Sequence, residues 1–225
     1  MLVYFLLIFS VAISAIAQSY VKSNYEKYRK VATLRNMSGA QVAQHILDLN
    51  NLNKVVVQVS KGGLLSDHYD PKANTVNLSK EVYQGTSIAS VAVAAHEVGH
   101  AIQYATGYHG IKLRNILLKP TIIASQFSQI VLIVGIMASN IMLQIGIVLL
   151  FITVLFQVIT LPIEFDASNR ALKILKGNQM LNPGEYDGAK KMLTSAALTY
   201  VAAALGAVAN LLYYVMLSNN RSRRR

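Results

Sequence analysis

The chain lacks cysteine and tryptophan, has only 4 prolines, and sets 10 acidic residues against 21 lysines and arginines in a length of 225. Without cysteine there can be no disulfide and no thiolate metal site, so a metal would have to be held by His, Asp or Glu. Charge is scarce too, at 14% of residues against roughly 25% in soluble proteins, while the hydrophobic fraction of 53% exceeds the usual ~45–50%. The deficit is concentrated in long uncharged runs, which predicts an integral membrane protein. The net charge of +11 then reads as attraction to a lipid bilayer with anionic headgroups. No interleaving of basic and aromatic residues and no nucleic-acid motif is present, so no nucleic-acid partner is expected. The length suits one domain or two, and no internal repeat is evident.

Against this background one stretch carries chemistry: Ala94-Ala95-His96-Glu97-Val98-Gly99-His100-Ala101. On a helix, His96 and His100 lie on one face with Cβ atoms roughly 5–6 Å apart. Two imidazoles so placed can take two corners of a tetrahedral zinc site. Glu97 would stand beside the metal, where a carboxylate can take a proton from water. The pattern His-Glu-x-x-His is the signature of zinc-dependent peptidases, and an accidental match is improbable in a chain with 5 histidines.

In chain order, 1–19 is an apolar run followed by Lys22, Lys27, Arg29, Lys30 and Arg35. No positive region precedes it, so despite the small-x-small triplet Ala15-Ile16-Ala17 it reads as a membrane anchor. The charges after it keep the next segment inside the cell, so residues 20–119 are expected to form a cytoplasmic domain. Ser38 and Gln41 form a capping box for a short amphipathic helix that carries His45, a surface or packing residue. Residues 54–60 and 64–69 read as a hairpin around Lys61-Gly62-Gly63, and 74–79 as a half-buried or edge strand after a turn at Asp70-Pro71-Lys72-Ala73. A small antiparallel β-sheet follows, whose exposed edge could accept an extended peptide. Thr86 or Ser87 caps the helix from Ile88 to Tyr104, and Gly107 ends it. Residues 120–163 hold two apolar runs broken at Ser139-Asn140, a transmembrane hairpin that ends at Leu161-Pro162. Gln129, Gln144 and Gln157 within it are expected to hydrogen-bond between helices. Residues 164–194 form further helices, with Asn182-Pro183-Gly184-Glu185 as a capped start. Residues 195–225 hold a last membrane helix and an arginine tail. If that helix crosses, the tail lies outside and breaks the positive-inside rule.

A catalytic zinc site needs a third protein ligand. The three-histidine continuation is absent, since position 106 is Thr and Gly107 follows it. A glutamate from a later helix is the other common solution, with Glu164 the first choice and Asp166 the alternative. Candidates for stabilising an oxyanion are His68, Tyr104, His109, Arg170 and Tyr200, with His68 favoured for its place in the Asp-His-Tyr-Asp loop.

The blocks Ser66-Asp67-His68-Tyr69-Asp70-Pro71, Val93 to Gln103, and Pro162-Ile163-Glu164-Phe165-Asp166-Ala167-Ser168 resemble the neutral zinc metallopeptidases of bacterial membranes, the YugP type. Val76-Asn77-Leu78-Ser79 and Ala197 to Ala203 extend the resemblance to nearly the whole chain. The layout is also similar to membrane peptidases of the HtpX and CAAX-prenyl kind. The resemblance implies a mainly α integral membrane protein with a zincin-like metallopeptidase core and 3–4 transmembrane helices. It implies Zn2+ held by His96, His100 and Glu164, with Glu97 as base, acting on a peptide or membrane-protein substrate. The site would face the cytoplasm from a multi-pass protein of the cell membrane. One departure stands at position 168: related enzymes often carry Asp four residues after the ligand glutamate, and here Ser168 occupies that place while Asp166 lies two residues on. The expected activity is that of a membrane-integral zinc metalloendopeptidase of the gluzincin kind. The alternative is a zinc-containing membrane scaffold without catalysis; a transporter is disfavoured by the absence of charge within 121–163.

Overall fold

The computed structural model describes residues 2–63 and 65–222, and their side chains apart from 2–4, 6 and 222. Seven helices and one small sheet are described: α1 (Leu2–Tyr28), α2 (Gly39–Leu49), β1 (Val56–Val59), β2 (His68–Asp70), β3 (Thr75–Leu78), α3 (Lys80–Gln84), α4 (Ile88–Ala105), α5 (His109–Met137), α6 (Asn140–Gly177) and α7 (Pro183–Ser222). They divide into two compact units. One comprises residues 1–18, 112–162 and 198–225, and the other residues 19–111 and 163–197.

The second unit is organised around α4. Its Ala- and Val-rich sequence lets neighbours approach on most sides, and Ala92, Ala94 and Val98 are wholly buried. Ser87 is the N-cap, its side chain accepting from the Ser90 amide, and Thr106 is the C-cap before Gly107 at φ 64. Glycine adopts that left-handed conformation at no steric cost, which suits the end of a helix. The Ser38–Gln41 capping box forms at α2, whose apolar face of Val42, Ala43, Ile46 and Leu47 closes the core. At the start of α7, Asn182 and Glu185 cap each other's amides at 2.8 and 2.9 Å. The other oxygen of Glu185 accepts from the Leu34 amide at 2.7 Å, a long-range tie that sequence spacing does not announce.

The sheet is mixed, not antiparallel, in the order β1-β3-β2. β1 pairs with β3 in parallel, and β2 pairs with β3 antiparallel. The expected hairpin between 54–60 and 64–69 is therefore replaced by a hairpin of β2 and β3 around Asp70, whose carboxylate accepts from the amides of Lys72 and Ala73. Leu64 lies outside the described residues. Nor is β3 an edge: it is the central strand and is buried along its whole length. Its alternation misleads because Asn77 engages Thr75 and Gln58 through its amide, so a polar face can be buried at little cost.

The first unit is built from the apolar helices. α5, α6 and α7 are each long and apolar enough to cross a membrane. The α5–α6 turn is tight: a Cβ on Gly135 would meet the Leu143 amide nitrogen at 2.3 Å. Leu132, Leu143 and Leu150 form its buried cluster. Arg221, near the end of α7, donates to the Gly135 carbonyl at 3.1 Å and to that of Ile136. Those are last-turn carbonyls of α5, which have no partners within the helix. Of the arginine tail, Arg223 to Arg225 lie outside the described residues, as does Met1 of the expected anchor.

The end of the apolar run at Leu161-Pro162 is not the end of the helix. α6 continues through Pro162 for another fifteen residues, to Gly177. One lost hydrogen bond does not break a helix that is otherwise packed. Ile163, Ala167, Ala171 and Leu175 are fully buried, and these positions form a single stripe along α6.

Candidate metal centre

The stripe at the second half of α6 packs on α4 where Gly99 leaves no side chain. A Cβ on Gly99 would lie 2.6 Å from the Ala167 carbonyl oxygen. That close backbone approach carries Glu164 to the histidines. Glu164 Oε2 is 3.4 Å from His96 Nε2 and 3.6 Å from His100 Nε2. The ligand atoms of the three side chains all lie within 4.8 Å of one another.

The separations fit a metal better than direct contacts. Two ligands ~2.1 Å from a tetrahedral zinc stand about 3.4 Å apart. Glu164 is 5% exposed, and its Oε2 is sealed from solvent without a hydrogen-bond partner. A buried carboxylate oxygen left bare costs free energy unless something positive sits against it. Burial opposes ionisation of Glu164, but the two imidazoles override it and hold the carboxyl well below the usual carboxylate range. For His100, burial disfavours the proton, and the carboxylates of Glu164 and Glu97 outweigh it and raise the pKa. The site thus prefers a positive charge between these groups.

With the Nε2 atoms facing Glu164, the Nδ1 atoms carry the imidazole protons. His96 Nδ1 donates to Ser168 Oγ at 3.1 Å, and His100 Nδ1 to Gln103 Oε1 at 3.0 Å. Ser168 therefore fills the place in which the resemblance led one to look for an aspartate. Asp166 is turned elsewhere: its Oδ2 accepts from Gln103 Nε2 at 2.8 Å and from Arg170 Nε at 2.5 Å. Gln103 also donates to the Ile163 carbonyl at 2.8 Å, and it is completely buried. One amide thus fixes the ring of His100 and grips α6 on both sides of Glu164. Sequence reading assigned Gln103 no role. The available signal was a polar residue one turn beyond His100 on a helix face otherwise made of Ala, Val and Ile.

Glu97 is buried beside the histidines on α4. His68 is not brought into the group. It lies in β2 with Nδ1 against the Ser66 carbonyl at 2.8 Å. Its neighbour Tyr69 meets Tyr104 of α4, ring centroids 5.4 Å apart, so alternation turns His68 to the opposite face of the sheet. Arg170 sits over the Tyr108 ring, 5.8 Å from its centroid.

A His-Glu-x-x-His helix and a glutamate supplied by a later helix thus bring three candidate metal ligands together. The chain belongs to the family described as "Putative neutral zinc metallopeptidase", whose model matches residues 3–219. It is 42% identical over 221 residues to "Putative membrane protease YugP" of Bacillus subtilis (strain 168), covering 98% of each chain. No solved structure matches it.

Proposed function

We propose that this protein is a membrane-integral zinc metalloendopeptidase of the gluzincin kind, with a zincin-like core that cuts peptide bonds at the membrane–cytoplasm boundary. The single observation that carries the reading is the bare, buried Glu164 Oε2 set 3.4 and 3.6 Å from two imidazole nitrogens of a His-Glu-x-x-His helix. His96, His100 and Glu164 would hold the metal. Zinc, when bound, supplies Lewis-acid polarisation of the scissile carbonyl and acidifies water at the site.

The protein's own groups do the rest. Glu97 takes the proton of the attacking water and returns it to the leaving amine. Ser168 and Gln103 hold the imidazoles with Nε2 facing inward, and Asp166 with Arg170 fixes the Gln103 amide.

The protein is multi-pass in this reading, with 1–19 as an anchor, 120–163 as a hairpin and 195–225 as a last crossing. Lys22 to Arg35 keep the zinc domain cytoplasmic. Arg221 then need not be drawn to an anionic inner leaflet, because the last carbonyls of α5 satisfy it. The test is hydrolysis by the purified protein in lipid nanodiscs of a membrane-anchored peptide, with and without zinc. Zinc-dependent cleavage that Glu97→Gln abolishes supports the reading. A non-catalytic scaffold gives bound zinc and no cleavage with any peptide offered.

A further inference from the structure

The apolar helices of the first unit enclose a polar cleft. Ser125, Ser128 and Gln129 of α5, Thr153 and Gln157 of α6, and Asn210 of α7 converge on a cavity of about 350 Å³. That lies at the small end of ligand pockets, which run from ~300 to ~1,000 Å³. No charged residue lines it. Gln157 does not staple the helices as its place in the sequence suggests. Gln157 Oε1 is sealed from solvent and has no hydrogen-bond partner. Ser128 is only 3% exposed. Ser125 and Thr153 do have partners, the carbonyls of Ile122 and Leu150 on their own helices, and so add little as donors.

In hydrocarbon no water is at hand to satisfy such groups, and an unpaired amide there is costly. A polar cleft that keeps such an atom, Gln157 Oε1, among further hydroxyls and carboxamides is built for an occupant. The carboxamides offer donors and acceptors together, and the lack of charge leaves nothing to balance a phosphate or a multivalent ion. The complement is another set of amides inside the membrane. We propose that the cleft binds an uncharged polar stretch of a membrane-embedded peptide, where Asn, Ser or Gly loosens a helix and bares its backbone N–H and C=O groups. This rests on the peptidase reading only in calling that peptide the substrate.

The absence of cysteine allows a direct test. In the full chain in nanodiscs, Thr153→Cys, which spares the carboxamides because Thr153 bonds its own helix, is made in a Glu97→Gln background, so that nothing is cleaved. The control is Ile130→Cys, at a position 62% exposed on α5. The probes are two Leu/Ala-rich membrane-spanning peptides with a central cysteine activated as a pyridyl disulfide. One carries Asn-Gly and Gly-Ser around that cysteine and the other only Leu and Ala. The protein thiolate attacks the peptide sulfur, a mixed disulfide forms, and thiopyridone leaves with the electron pair. The expected result is labelling at 153 about 10-fold faster with the polar peptide, the worth of one or two hydrogen bonds, and no preference at 130. Asn210→Leu should erase the preference while leaving the slow labelling by the apolar peptide. Equal rates with both peptides at 153 would overturn the proposal. So would a disulfide between two copies, formed when the thiolate of one displaces the peptide thiol from the mixed disulfide of another, which assigns the cleft to self-association. The readout is independent of catalysis. Inactivity of the native enzyme toward every peptide would sink the peptidase reading and leave this result standing.

Discussion

Gly99 and Ala167 touch backbone to backbone. A Cβ placed on Gly99 would sit 2.6 Å from the Ala167 carbonyl oxygen and 3.2 Å from its Cα, and neither atom can swing away as a side-chain tip would. Gly99→Ala must therefore push α6 off α4. The expected cost is ~1–3 kcal/mol of stability, as for other overpacked contacts. Because Glu164 travels with α6, zinc affinity should fall as well. Calorimetric zinc titration and thermal unfolding measure the two effects. Unchanged zinc affinity would mean that the close approach serves packing alone.

Gln103 bridges the histidine helix and the glutamate helix. Gln103→Met keeps the length and removes the amide, leaving the His100 Nδ1 proton and the Ile163 carbonyl without that partner. Loss of such an orienting group typically weakens metal binding ~10–100-fold. Gln103→Glu restores the acceptor for His100 but sets two carboxylates together at Asp166. Partial recovery is expected in Gln103→Glu,Asp166→Asn. A role in packing alone predicts that Met, the better apolar filler, binds zinc as tightly as glutamine.

Glu164 and Asp166 compete on paper for the third ligand position. Glu164→Gln should reduce zinc affinity far more than Asp166→Asn, because Asp166 is already engaged by Gln103 and Arg170. Zinc content after dialysis at fixed free metal decides it. Equal losses would reject Glu164 as the ligand.

Glu97→Gln separates binding from chemistry. Zinc stoichiometry and melting temperature should hold, while kcat drops by ~10²–10⁴, the usual worth of a general base. Wild-type turnover in this variant would exclude Glu97 as the base.

Acidity should act on the site with a definite sign. In the metal-free protein His100 is raised above 6.5, so its contribution to stability is complete below 6.5 and is lost as pH rises through the higher folded value. Glu164 is depressed below 4.5, so its contribution is present above 4.5 and lost as pH falls through the lower folded value. The pair is worth most between 4.5 and 6.5. Zinc displaces the His100 proton, so zinc binding should release a proton near neutrality and tighten as pH rises. Titration in buffers of different ionisation enthalpy counts that proton. No release at neutral pH would mean that His100 is already neutral in the free site.

Where the physics is local, the sequence was enough. His96, Glu97 and His100 share a helix whose period alone sets their faces, and Ser38, Ser87, Asn182 and Gly107 mark helix ends through bonds or dihedrals within a few residues. The sheet was misread because a two-residue alternation records burial and not pairing. Asn77 looked solvated, yet its partners Thr75 and Gln58 let it be buried. The apolar run ends at Pro162 but the helix does not, because a buried stripe carries α6 beyond it.

What the sequence by itself determined is the shared face of His96 and His100 on α4 and the apolar runs, because a helical period and a hydrophobic length are properties of neighbouring residues. What only the tertiary structure decided is which acid faces the histidines, that Ser168 rather than Asp166 orients His96, and that Gln103 ties the two helices together. Those choices are made sixty to seventy-two residues apart in the chain, at a contact set by the missing side chain of Gly99 against the backbone of Ala167.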